Sequence, residues 1–276
     1  MQDPMHNHWT LDDIPWDRFE AARVAPDMLR AVKAAALVEH NSRDYVAYLC
    51  NIFADDAEFQ AAARAWGEEE VQHGRALARW AKLADPDFDL DHALARFRAG
   101  FRLPLDVSAS VRGSRAGELI ARCVVECGTS SFYSAIRDAT DEPVLREICR
   151  RIAGDEFRHY KLFHQYYRLY AQARPLALWR RLAIAYGRIN EASDDELAMA
   201  YWCANDLAEF YDRRRHSAAY GARAGRLYRF GHVQRGLAMV LKACGLETQG
   251  RLARLLGRVA WLGLRARLRQ LDRLAA

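Results

Sequence analysis

The sequence contains no apolar run approaching the roughly 18 residues that a membrane-spanning helix needs. It has no Cys-x-x-Cys pair, no iron-sulfur cysteine set and no Gly-rich dinucleotide fingerprint, so neither a zinc clip nor a redox cofactor of the common kinds is built into the chain. The stretch from Met1 to Asp13 is polar and acidic rather than basic and then greasy, which excludes the pattern of a secretory leader. Cys50, Cys123, Cys127, Cys149, Cys203 and Cys244 are scattered through helical patterns, which fits reduced, buried thiols better than a disulfide frame. The expectation is a cytoplasmic protein. β-Branched runs are few and prolines number only seven, which leaves little room for strands and few breaks.

What is present is an ordinary globular composition, 51% hydrophobic and 28% charged over 276 residues, enough to bury one large or two small cores. Charge is unevenly spread. From Arg174 onward there are 19 of the 41 basic residues but only nine of the 36 acidic ones. Such asymmetry points to an acidic partner or an anionic surface at the C-terminal part, against the common alternative of arginines solvated on amphipathic helices. Nothing in the pattern asks for nucleic acid.

Ala, Leu, Arg and Glu dominate, with apolar residues three and four apart, so the chain reads as all-α. Pro26-Asp27 opens a first helix running to about Phe53, and Asp55-Asp56 caps a second that ends near Asp85-Pro86. A crossover from Pro86 to Ser114 follows, with one helical turn expected around His92 to Phe97. Two more long helices, Gly117 to about Ala139 and Glu142 to about Gln172, are parted at Pro143. Two hairpins joined by one long crossover is the connectivity of a ferritin-like four-helix bundle. Residues 1–25 read as an aromatic arm across the bundle, 26–173 as the bundle, and 174–276 as a helical extension with helices near 176–190, 194–222, 227–244 and 249–274. His6 and His8 in the arm read as incidental rather than metal-binding.

Glu-x-x-His occurs only twice, as Glu70 to His73 and Glu156 to His159. Fifteen glutamates and nine histidines in this length give roughly half an occurrence by chance. On a helix, positions i and i+3 share a face, so each motif presents a carboxylate and an imidazole together. Glu39 and Glu126 supply the partner helices' carboxylates, by a test of height. The midpoint of 39 and 70 falls at the Ala54-Asp55 turn, and that of 126 and 156 at Asp141. Each pair is therefore level across its hairpin, roughly 23 Å from the bend. The offsets from 39 to 126, 70 to 156 and 73 to 159 are 87, 86 and 86, so the hairpins repeat one another. Four carboxylates balance two Fe(II) ions, and oxygen and nitrogen donors suit iron, with manganese an option at one position. A purely structural polar layer would need basic residues at matching heights, and none stands out. Tyr45, Tyr48 and Tyr133 lie on the same helices and read as packing first, substrate contact or radical site second.

The run Arg64-Ala65-Trp66-Gly67-Glu68-Glu69-Glu70-Val71-Gln72-His73-Gly74 resembles a segment of the soluble acyl-ACP (acyl carrier protein) desaturases. Ile148-Cys149, Ile152-Ala153 and Asp155-Glu156-Phe157-Arg158-His159 resemble that family's fourth helix, and Glu126-Cys127-Gly128-Thr129 its third, the likeness covering about Ala35 to Phe163. The resemblance implies that Glu39, Glu70, His73, Glu126, Glu156 and His159 are metal ligands, with Glu70 and Glu126 or their partners bridging. It implies that Thr129 faces the dioxygen pocket as a hydrogen-bond donor, against the alternative of a bond to its own backbone. Asp155 and Glu69 are expected to accept the second ring N–H of the opposite hairpin's histidine, Asp155 to His73 above all, with Arg158 completing the network. The likeness fades in the crossover and beyond about Tyr170. The same ligand set also resembles that of bacterioferritins, rubrerythrins and aldehyde-deformylating oxygenases. The missing rubredoxin-like cysteines, the long C-terminal extension and Ile152, where arylamine oxygenases carry a further histidine, narrow the field.

The leading expectation is a homodimeric di-iron oxidoreductase that uses dioxygen and external electrons, from a ferredoxin for example, to desaturate or oxygenate a fatty-acyl substrate, carried or not on acyl carrier protein. A ferroxidase or peroxidase, and a metal-free helical interaction protein, are the alternatives. The basic helix carrying Arg251, Arg254, Arg258, Arg265, Arg267, Arg269 and Arg273 is expected to pack its leucines on the bundle, with docking of an acidic carrier or peripheral contact with anionic lipid as the second option. Arg213-Arg214-Arg215 is a further basic patch.

Overall fold

The computed structural model describes residues 9–191, 195–205 and 208–275. Among them there is no strand, and eleven α-helices follow one another: α1 Pro26–His40, α2 Ser42–Ile52, α3 Ala57–Ala84, α4 Leu90–Gly100, α5 Arg115–Ala139, α6 Pro143–Ala173, α7 Leu178–Glu191, α8 Asp195–Asn205, α9 Arg213–Arg226, α10 Phe230–Ala243 and α11 Arg251–Ala275. The starts carry their caps. Asp56, Asp89 and Ser114 each accept a bond from the N–H three residues on, and Glu142 takes those of Val144 and Leu145 ahead of Pro143 at the first helical position.

α1 and α2 pack with α3 as one hairpin, α5 and α6 form the other, and α3 lies against α6. Two apolar clusters fill the interior. One gathers Val32, Leu37, Leu77, Trp80, Phe132, Ile136 and Ile148 toward the Pro143 turn, and the other gathers Leu49, Phe53, Phe59, Trp66, Leu119, Cys123 and Phe163 toward the opposite end. The six residues singled out by spacing lie between them, so the polar layer is sealed above and below by hydrocarbon.

The single helix expected from Pro26 to Phe53 is broken at Asn41, which leaves helical geometry at φ −90°, ψ 10°. Its N–H still reaches Leu37 O and Val38 O, while its side chain accepts a bond from Arg98 of α4 at 3.0 Å and the next residue, Ser42, donates to Gly67 O at 3.0 Å. Bonds to two neighbouring elements replace the helical ladder at that turn. The break sits beside the closest approach of α1 and α3, where a Cβ on Gly74 would lie 2.6 Å from His40 N. The crossover holds a full three-turn helix, α4, rather than one turn. The expected helix at 194–222 is likewise two, α8 and α9. Asp212 caps the second, and the Trp202 indole donates to Glu209 O at 2.8 Å, fastening the reversal between them.

The arm wraps the bundle through three single 3-10 turns, with Trp9 and Ile14 buried. His6 and His8 lie outside the described residues. α8 packs on α1 and α10 on α5, with α9 and α11 further out. Arg213, Arg214 and Arg215 open α9 exposed to solvent, Arg215 pairing with Glu209. The six cysteines form no disulfide. Among the described residues, no helix is long and apolar enough to cross a membrane.

Candidate metal centre

Glu39 from α1, Glu70 and His73 from α3, Glu126 from α5, and Glu156 and His159 from α6 are all buried. They fall into two overlapping groups able to hold an ion: Glu39, Glu70, His73 and Glu156, and Glu70, Glu126, Glu156 and His159, the donor atoms of each lying within 4.8 Å of one another. Glu70 and Glu156 belong to both. The shared pair is thus the two glutamates of the Glu-x-x-His motifs, and Glu126, offered as a bridge by the resemblance, belongs to one group only, as Glu39 does to the other.

Each imidazole is held from behind. His73 Nε2 bonds to Asp155 Oδ2 at 3.0 Å and His159 Nε2 to Glu69 Oε2 at 3.1 Å, each across the hairpins. Arg158 ties the two anchors together, donating to Asp155 at 2.5 Å and to Glu69 at 3.1 Å. With Nε2 carrying the proton toward a carboxylate, Nδ1 turns its lone pair inward. There, His73 Nδ1 stands 3.3 Å from Glu156 Oε1 and His159 Nδ1 3.0 Å from Glu70 Oε1, and neither nitrogen, nor Glu126 Oε1 nor Glu156 Oε1, has a partner in hydrogen-bond geometry. Orphaned polar atoms in a dry interior are costly, and these four are the donor types and positions that a pair of cations would occupy.

The outer contacts are unequal. Tyr133, buried on α5, donates its hydroxyl to Glu39, so it serves a ligand as well as packing. Tyr45 and Tyr48 bond elsewhere, to Glu196 and Glu118. Thr129 Oγ1 lies 2.5 Å from Glu156 Oε2 and 3.3 Å from the carbonyls of Val125 and Glu126. Its one proton goes to the nearest and charged acceptor. The expectation that no basic residue stands at the level of the acids is corrected by Arg122. It is 6% exposed, one helical turn before Glu126, with Nη2 3.5 Å from that carboxylate. Its Nε has no hydrogen-bond partner among the described residues, and its guanidinium lies 5.1 Å from each of the Tyr45 and Trp66 rings. One turn of spacing and an isolated Arg in the run Leu119-Ile120-Ala121-Arg122-Cys123-Val124 were the signal that could have found it.

Burial and mutual repulsion set the protonation of the layer. Burial, then Glu70 beside it, drives Glu39 well above the usual carboxylate range. Burial, partly relieved by a bond from His159, takes Glu126 up to about 8. Burial acts the same way on Glu70 and Glu156, but hydrogen bonds outweigh it and hold both below the usual value. It disfavours the charged histidines, yet the carboxylates around them, Asp155 and Glu156 for His73, and Glu126, Glu156, Glu69 and Glu70 for His159, lift both well above their ordinary value. Without cations the layer thus favours protons on Glu39, Glu126 and both imidazoles. Four carboxylates carry the charge that two dications would neutralise, and the oxygen and nitrogen donors suit such ions, so these residues fit a metal pair.

No protein-family model matches the chain, and no curated protein matches it significantly.

Proposed function

We propose that the chain is a dinuclear metal oxidoreductase of ferritin-like architecture, with two iron ions held by Glu39, Glu70, His73, Glu126, Glu156 and His159, acting with dioxygen on an acyl-type substrate. The observation that carries the reading is the pair of buried Nδ1 atoms facing the carboxylates of Glu70, Glu126 and Glu156 at 3.0 to 3.9 Å, each ring pinned through Nε2 to its own acid. A bound ferrous pair supplies electrons to dioxygen at a position shielded from bulk water.

The chain's own groups divide the remaining work. Glu70 and Glu156, common to both donor groups, would be shared by the two ions, while Glu39 and Glu126 would each serve one. Asp155 and Glu69 keep the histidine protons on Nε2. Thr129 and Tyr133 orient Glu156 and Glu39 by donating to them. The Trp9 ring, stacked 6.1 Å from His73, and the Trp66 ring, 6.4 Å from His159, keep solvent from the imidazoles. A substrate that loses two hydrogens provides two of the four electrons that take dioxygen to water. The other two electrons would come one at a time from a separate donor such as a ferredoxin, and the two remaining protons from solvent.

The test is aerobic turnover of reduced, iron-loaded protein with acyl carriers, free acids and aldehydes, read by mass. Loss of two hydrogens identifies desaturation and gain of one oxygen hydroxylation. Iron oxidation without any organic product replaces this reading by a ferroxidase, and failure to bind iron leaves a helical scaffold.

A further inference from the structure

The basic helix at the end of the chain does not simply bury its leucines. α11 has three faces. Ala253, Gly257, Trp261, Leu264, Leu268 and Leu271 recur at three- and four-residue spacing and are partly or fully covered, Gly257 against Gln234, Leu264 and Leu268 against Gly225, and Leu271 against Gly221. Leu252, Leu255, Leu256, Val259 and Leu262 form a second apolar stripe, and they are 68, 57, 36, 58 and 66% exposed. Between the two runs an exposed arginine stripe, Arg251, Arg254, Arg258, Arg265 and Arg269. One apolar face satisfies the packing of a surface helix, so the second needs another explanation.

A neighbouring helix has the same character. Leu178, Trp179, Leu182, Tyr186 and Ile189 share one side of α7, and all are exposed, Trp179 by 66% and Tyr186 by 69%. The turn that leads toward α11 rests on α7, with Cys244 Sγ 3.7 Å from Arg181 O. Exposed Trp and Tyr beside arginines suit a boundary that is wet on one side and apolar on the other.

We infer that the outer faces of α11 and α7 form a docking surface for an anionic lipid bilayer, α11 lying along the headgroup layer with its second leucine stripe in the acyl region. Charge selects this occupant over a second copy of the chain. The only acid in α11 is Asp272, so pairing two copies through the leucine stripe would set arginine stripe beside arginine stripe. An acidic protein would meet the arginines but would also have to supply a groove for an apolar stripe roughly 15 Å long. A bilayer supplies phosphate and hydrocarbon at adjacent depths. The inference is independent of the metal centre, and its test reads no turnover.

Full-length protein is floated with vesicles of phosphatidylcholine alone and of phosphatidylcholine with phosphatidylglycerol, at low and high salt. Recovery with the anionic vesicles is expected to exceed that with the neutral ones by at least about tenfold and to fall in high salt, and Arg254→Gln should lower it about fivefold. Leu255→Glu with Val259→Glu should lower it by more than about tenfold. Hydrogen exchange of the unaltered protein on vesicles makes the result independent of how the variants fold: protection is expected over 178–189 and 251–262. Equal recovery on both vesicle types, or no protection of these segments, overturns the inference. So does protection of 251–262 in a vesicle-free solution that sediments as a dimer, or by an acidic carrier protein where vesicles give none.

Discussion

His73 and His159 occupy equivalent places in two hairpins 86 residues apart, yet their surroundings have diverged. On the His73 side the anchoring acid, Asp155, also takes the indole N–H of Trp9 at 2.7 Å, so the N-terminal arm is bonded into the centre, and the unshared carboxylate, Glu39, receives a neutral phenol from Tyr133. On the His159 side the unshared carboxylate, Glu126, faces the guanidinium of Arg122. The candidate donors repeat while the charge around them does not. The two donor groups thus differ in local potential, one beside a neutral donor and the other beside a permanent cation.

The sharpest way to break this comparison is to separate shared from unshared ligands. Glu70→Gln and Glu156→Gln should reduce bound iron from about two per chain to well under one, whereas Glu39→Gln and Glu126→Gln should each leave about one, by elemental analysis. Equal losses in all four would dissolve the division into two groups. Next come the anchors. Asp155→Asn and Glu69→Gln should weaken iron binding about 10- to 100-fold, read by competition with a chelator. Asp155→Asn should also expose the arm to protease, because it disturbs the bond to Trp9.

Protons give a third test. Burial raises Glu39 and Glu126, and the surrounding carboxylates raise His73 and His159, so all four are biased toward their protonated forms in the metal-free protein. Loading must displace those protons, so affinity should rise with pH up to and through about 8, where Glu126 itself ionises. Calorimetry in buffers of different ionisation heat counts the protons released. Arg122→Met withdraws the cation that favours ionised Glu126 and should move this profile to higher pH, while Tyr133→Phe, which removes no charge, should move it less. The smallest expected effect lies outside the layer. Gly74→Ala pushes a methyl against His40 of α1 and should cost about 1 to 3 kcal/mol by urea unfolding.

The gathering of the six acidic and histidine side chains was legible in the sequence because it obeys local rules. Helical spacing puts Glu70 with His73 and Glu156 with His159, and the Asp56 and Glu142 caps locate the turns from which heights are measured. The all-helical class followed from composition and periodicity. What escaped depends on contacts between distant segments. The break at Asn41 is fixed by Arg98 and Gly67, which the pattern of 26–53 does not contain. Trp9 reaches Asp155 across 146 residues, and no spacing announces it. Arg122 was within reach, one turn from a ligand, but a charged residue in an apolar run reads as solvent-facing until a cage of Tyr45 and Trp66 is seen around it. The outer stripe of α11 was misread for a related reason: periodicity reveals that leucines share a face but not whether that face is covered.

Diffraction from iron-loaded crystals at the iron absorption edge would locate the metal pair itself. Two anomalous peaks about 3.5 to 4 Å apart, both within bonding distance of Glu70 and Glu156, with His73 on one and His159 on the other, are the predicted result. A single peak, or peaks that leave either histidine Nδ1 unligated, would contradict it.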